Sequence, residues 1–312
     1  MKSQKITFSM IRISLGIFFL YSAWLKLFPI EPLEFALISQ GIATFMTAPI
    51  LSRLLIGTEF ALGIFLILGI HSRIVYRVTL ILLAVFSIYI VYIWSVFGST
   101  ENCGCMGEGF YMTPFESLLK NILLAGIVLV LLKFKELEYS VRWKVKLLVI
   151  LSLLISFFLP PILNPPDFYS VQFADAETVE YPIDTAITNS FIINGKPLLL
   201  SKGEHIVAFL SLACPHCKLA ATKLMLIKKE LGSEMPETVM LFLGKPADVQ
   251  PFLQETKSKS FPWYTVSNPS SFYKLAGNSF PAIYYIKDGI VKKKWNLIQL
   301  SPEAIQKISS KI

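Results

Sequence analysis

The sequence predicts an α-helical transmembrane bundle followed by an α/β domain, on three observations. Hydrophobic residues make up 54% of the 312 positions and charged residues only 16%, too apolar a balance for an ordinary soluble chain. The excess lies in the first half, where five apolar runs are long enough to cross a bilayer core or nearly so. The second half alternates short apolar strand-like runs with helix-like segments, and one such junction holds Cys214-Pro215-His216-Cys217. The formal charge of +8 would suit nucleic acid. The basic residues, however, sit in short loops between apolar runs, where Lys and Arg set membrane orientation. Nucleic-acid binding is not supported, and membrane lipid is the partner implied.

The expected spans are Phe8–Phe28, Ile50–Ile70, Ile74–Phe97, Phe115–Leu132 and Val145–Leu163. With Lys2 and Lys5 ahead of it, the first has the outline of a cleavable signal peptide. Arg12 and the spans that follow favour an uncleaved anchor. Arg73 and Arg77 flank the second-to-third connection, and Lys133, Lys135, Arg142, Lys144 and Lys146 the fourth-to-fifth. The other two connections carry Glu31, Glu34, Glu101 and Glu108. The positive-inside rule puts these acidic loops outside and, after five spans, the second half outside as well. Val145–Leu163 is the weakest span, with Lys146 near its start and Pro160-Pro161 at its end. Lying flat in the interface, it would leave the second half cytoplasmic. The expected division is 1–143 for a four-helix membrane domain, 144–163 for a fifth span, 164–190 for a linker and 191–312 for an extracytoplasmic domain. A flexible linker of that length reaches about 25–30 Å. The location expected is a bacterial inner membrane.

All four cysteines, Cys103, Cys105, Cys214 and Cys217, then fall on one extracytoplasmic side, which is the usage of disulfide chemistry in an oxidising compartment. Cys214 follows a strand-like run, 206–210, and opens a helix-like run, 218–231. Unpaired N–H groups and the dipole at a helix N-terminus favour thiolate over thiol. Pro215 suits the first helical turn, and a protonated His216 adds positive charge. C-x-x-C is also half of a zinc site. The other cysteine pair lies far upstream, so the exchange reading is preferred and no metal is expected. Cys103 and Cys105 are two positions apart, with Gly104 permitting the tight turn a bridge would need. So small a ring is strained and easily reduced. The alternatives are a static bridge or two free thiols. Glu59, deep in the second span, is costly there unless paired or protonated. A proton relay, a quinone contact, or a partner to Lys26, Arg12 or the backbone are the roles open to it.

Residues 8–132 resemble the DoxX-like, methylamine-utilisation MauE family of four-helix membrane proteins. The resemblance is carried by Arg12, Gly16 and Lys26, by Glu59 and Gly63, by Cys103-Gly104-Cys105-Met106-Gly107, by Pro114 and by Leu119-Lys120-Asn121. It implies disulfide handling in extracytoplasmic protein maturation, without settling a mechanism.

Downstream, Asn194-Gly195 marks a hairpin. Strands are expected at 206–211 and 238–243, helices at 214–231, 247–257 and 302–312, and a strand pair around Asp288-Gly289. In this order of parts, residues 191–312 resemble the thioredoxin fold, close to its TlpA/ResA-like and DsbA-like members. The resemblance implies that Pro281 is the proline held in cis against the active-site disulfide. It also exposes a departure, since the buried acid usual six residues before the first cysteine is here Ala208. His71 and His205 read as structural.

The function expected is a membrane-bound thiol–disulfide oxidoreductase relaying between Cys214/Cys217 and Cys103/Cys105. Its partners would be extracytoplasmic thiol proteins, with quinone as electron sink. A reductase or isomerase, and a non-redox assembly factor, are the alternatives. A membrane-impermeant thiol reagent should label Cys214 after reduction in cells whose outer barrier alone is permeabilised. Labelling only after the inner membrane is lysed would reverse the topology.

Overall fold

Charges and backbone polar groups in a bilayer must be satisfied within the protein, and the helices of the first unit are arranged accordingly. The computed structural model describes residues 2–99, 107, 112–133, 143–167, 178–193, 196–266 and 268–309. It divides into two units, Met1–Pro166 and Asp167–Ile312.

The first unit comprises α1 (Lys2–Leu27), α2 (Glu31–Ser39), α3 (Ala48–Leu68), α4 (Ser72–Phe97), α5 (Pro114–Lys133) and α6 (Trp143–Leu163). Of these, α1 and α3 to α6 are long and apolar enough to cross a membrane, as expected. The fifth span continues as helix through Pro160 and Pro161. The central member is α3, with 56% of its apolar window buried against at most 28% in the others. Its approach to α1 is set by two glycines. A Cβ on Gly16 would stand 2.8 Å from the Gly63 carbonyl oxygen, and one on Gly63 would stand 2.9 Å from that of Gly16. Small residues at such a crossing let the backbones meet. One turn nearer the start of α1, Arg12 donates to the carbonyls of Leu66 and Ile67 at 2.5 and 3.3 Å, which the end of α3 leaves without helical partners. Gly57 plays the corresponding part against α6, where a Cβ would meet the Ser156 carbonyl oxygen at 2.9 Å. Ile81, Ile88 and Ile162 point outward, which in a bilayer is the lipid side.

The second unit follows the order β1 (Thr178–Pro182), α7 (Thr185–Thr188), β2 (Ile192–Ile193), β3 (Lys196–Pro197), β4 (Glu204–Ser211), α8 (Pro215–Leu231) and β5 (Glu237–Leu243). It continues through α9 (Val249–Glu255), β6 (Trp263–Thr265), α10 (Pro269–Ala276), β7 (Ala282–Lys287), β8 (Ile290–Trp295) and α11 (Pro302–Ser309). Six strands form one sheet in the order β1-β8-β7-β4-β5-β6. β4 runs parallel to β5 and antiparallel to β7. Residues 206–210 of β4 are wholly buried, as a central strand covered on both faces requires. Asp288 and Gly289 both have positive φ, 50° and 79°, giving the tight turn between β7 and β8. β2 and β3 pair as the expected hairpin; its turn residues Asn194 and Gly195 lie outside the described residues.

The linker expected over 164–190 is corrected. β1 pairs with β8, Ile183 is buried in the domain core, and Asp184 caps α7 and accepts from Lys274 Nζ at 2.7 Å. The domain therefore begins at Asp167 rather than 191. An edge strand is held by its hydrogen-bond ladder and needs no long apolar run, so composition alone concealed it. β6 and α10 were likewise not foreseen.

Gly63→Leu should lower the midpoint of thermal unfolding of the whole chain in detergent, by a loss of about 1–3 kcal/mol from overpacking. Gly126→Leu, where an added Cβ meets nothing within 4 Å, should leave the midpoint within error. Equal midpoints for the two variants would remove the glycine crossing.

Candidate active site

β4 ends at Ser211, and three residues later Cys214 stands as the N-cap of α8 with extended φ and ψ of −94° and 118°. Its N–H donates to the Ser211 carbonyl at 3.1 Å, and its own carbonyl accepts from Cys217 N–H at 3.1 Å. Pro215 occupies the first turn, where a missing N–H costs nothing. The two thiols are free and differ in exposure: Cys214 is half-buried and Cys217 is 0% exposed. The Ser211 N–H donates to Cys217 Sγ at 3.3 Å. Burial pushes the Cys217 thiol up to about 12, the Ser211 N–H opposes the shift, and the neighbouring Cys214 adds to it. His216 is exposed on the first turn of α8.

The Phe280–Pro281 peptide is cis, as the sequence resemblance implied. Ala282 pairs with Phe209, so Pro281 enters the sheet across from Leu210, at the end where Cys214 sits. Phe280 is wedged against Phe272 and Tyr273, with ring centroids 5.2 and 5.7 Å apart. Ala208 is fully buried, and no carboxylate among the described residues contributes to the Cys217 shift.

A group missed from sequence lies on the same helix. Lys223 is 3% exposed, and its ammonium donates to Asp167 Oδ2 at 2.7 Å and to the Leu297 carbonyl at 2.8 Å. Helical spacing was its signal, because Leu219, Ala220, Leu226 and Ile227 form the buried stripe on which it falls.

In the membrane unit, Glu59 is 2% exposed and both its oxygens accept from Lys26 Nζ at 2.8 Å. Lys26 also donates to Ser22 Oγ at 2.6 Å. Of the partners expected, Lys26 is the one in place. The cavity beside them, lined also by Lys120 and Asn121, is about 20 Å³, room for one water rather than a quinone ring. A second buried pair, Arg53 with Glu34 at 2.5 Å, was not foreseen; Arg53 Nε also donates to the Asn164 carbonyl at 2.9 Å. Cys103 and Cys105 lie outside the described residues. Gly107, the last residue of their motif, is buried with φ 70°, and a Cβ there would collide with the Leu25 carbonyl.

Fold and site together define a helical membrane bundle joined to a thioredoxin-fold domain that presents a C-x-x-C pair. Residues 4–134 match the family described as Methylamine utilisation protein MauE. The chain is similar to Protein TlpB of Flavobacterium psychrophilum, 27% identical over 333 residues covering 92% of this chain and 90% of that one. Among solved structures, it aligns with the thioredoxin domain of a thiol-disulfide oxidoreductase from Bacteroides vulgatus (11% identity, 45% of this chain, 96% of that chain, TM-score 0.33). It also aligns with StoA from Bacillus subtilis (16% identity, 44% of this chain, 98% of that chain, TM-score 0.31).

Burial of the Cys217 thiol makes stability depend on pH. Between pH 9.0 and about 12 the unfolded thiol is ionised while the folded one keeps its proton. The folded state then binds more protons, so stability falls as pH rises through that window. Reduced protein should therefore lose stability with rising alkalinity more steeply than its Cys217→Ala variant. At pH 9.0 and below, iodoacetamide should alkylate Cys214 and spare Cys217, as read by peptide mass. Equal alkylation of the two thiols would contradict the burial argument.

Proposed function

We propose that this chain is a membrane-bound thiol–disulfide oxidoreductase whose C-terminal domain works on the extracytoplasmic side of a bacterial inner membrane. The observation that carries the reading is the unequal cysteine pair at the start of α8, with cis-Pro281 at the same end of the sheet. In the oxidising direction a substrate thiolate attacks Cys214 Sγ, the Cys214–Cys217 bond breaks, and Cys217 leaves with the electron pair and takes a proton. A second substrate thiolate then attacks the substrate sulfur of the mixed disulfide and releases Cys214, leaving substrate oxidised and the pair reduced. Reoxidation passes to Cys103 and Cys105, which exchange with the reduced pair. A bilayer quinone accepts the two electrons in turn, since the four cysteines lie on one side and offer no thiol route across the membrane.

The relay is tested with the full chain carrying Cys217→Ser, which removes the resolving thiol and prolongs mixed disulfides. Peptide mapping without reductant should find Cys214 joined to Cys103 or Cys105, and to substrate proteins. If Cys214 is trapped with other proteins and never with Cys103 or Cys105, the two pairs do not communicate. Depleting quinone in cells should move both pairs of the unaltered chain to the reduced form, and an unchanged redox state would remove quinone as the sink.

A further inference from the structure

At the end of the sheet that carries Pro281, a groove of about 500 Å³ opens between the turn leading into β7 and the end of β8. Its walls include Asn278, Ser279, Tyr284, Lys294, Asn296 and Gln299, and none of its lining residues is Asp or Glu. Lys294 is its one charge. Lys294 lies opposite Tyr284 in the β7–β8 register, and its ammonium stands 5.0 Å from the Tyr284 ring centroid and 4.9 Å from that of Tyr181. Two ring faces steady the cation over the groove. Among the described residues no carboxylate pairs with it, whereas Lys292, Lys287 and Lys274 each have one.

Two neighbours sharpen the chemistry. The Asn296 N–H donates to Gln299 Oε1 at 3.2 Å, and the Gln299 N–H donates to Asn296 Oδ1 at 2.9 Å. A backbone N–H can only donate, so both amide oxygens are committed and both NH₂ groups remain as donors. The groove therefore offers one ammonium and two amide donors, with no anion among the described residues to balance them. A carboxylate is the complement.

Resting on the exchange reading above, we propose that this groove selects substrate polypeptides bearing an Asp or Glu near the reacting cysteine, with Lys294 as the specificity-determining residue. A substrate extended past Pro281 toward Cys214 carries its flanking side chains into the groove on the β8 side. The covalent step is unchanged: the peptide thiolate forms a bond to Cys214 Sγ as the Cys214–Cys217 bond breaks, and Cys217 retains the electron pair.

The test uses the full chain in detergent, oxidised at Cys214–Cys217, with Cys103 and Cys105 replaced by serine so that one disulfide reacts. Two single-cysteine peptides serve as probes, one flanked on both sides by aspartate and the other by asparagine. The readout is the ratio of their exchange rate constants at low ionic strength. For one half-buried charge pair the ratio should exceed that of Lys294→Gln about fivefold. Lys294→Arg should retain it, and salt should erode it. Referring each ratio to the Gln variant cancels the effect of aspartate on the peptide thiol itself. A ratio that is the same in the unaltered and Lys294→Gln chains overturns the inference. Uncharged dithiothreitol separates the two readings. If it reduces Cys214–Cys217 while the ratio is insensitive to Lys294, only the acidic preference falls. If it leaves the disulfide intact, the exchange reading falls as well.

Discussion

The membrane unit depends on the pairing of Lys26 with Glu59 across the α1–α3 seam. Either charge alone would be a large liability in hydrocarbon, and removing one partner of a buried pair costs about 3–5 kcal/mol because the other is stranded. With both oxygens of Glu59 engaged and Ser22 sharing the ammonium, the two helices are locked in one rotation and one axial register. The neighbouring contacts follow from that register. Gly16 meets Gly63, and Arg12 reaches the carbonyls at the end of α3. Six residues that are scattered over some fifty positions of sequence thus form one continuous seam. The MauE match, residues 4–134, spans both helices of the seam.

In the second unit the corresponding constraint is the depth of Cys217. Exchange proceeds through thiolates, and the attacking thiol works best when its pKa lies near the ambient pH. A thiol pushed up to about 12 by burial is a reluctant attacker. The Ser211 N–H, 3.3 Å from its sulfur, is the group that eases its ionisation. Ala208 places no carboxylate six residues before Cys214. The site therefore joins a half-buried sulfur to a sheltered one.

Much of this was legible in the sequence because strong local rules carried it. The five spans announced themselves by length and apolarity, the Asp288-Gly289 turn by its need for positive φ, and the C-x-x-C by its place between strand and helix. What stayed hidden was held by distant pairing. α2 is only nine residues long and too short to stand out, yet it delivers Glu34 to Arg53. β1 is an edge strand whose partner lies more than a hundred positions away. Lys223 looks like an ordinary helical lysine until its neighbours on the apolar stripe are counted. Each of these depends on a partner that no sequence window contains.

The correction at the linker changes what governs the joint between the units. Asn164 belongs to the first unit, where its side chain donates to the Leu27 carbonyl at 2.9 Å and its own carbonyl accepts from Arg53. Asp167 belongs to the second, where Lys223 holds it. Between these two anchored residues stand Pro165 and Pro166. Proline fixes φ near −65° and restricts the residue before it, so the joint has few soft torsions. The second unit is anchored to α8 from its first residue, Asp167.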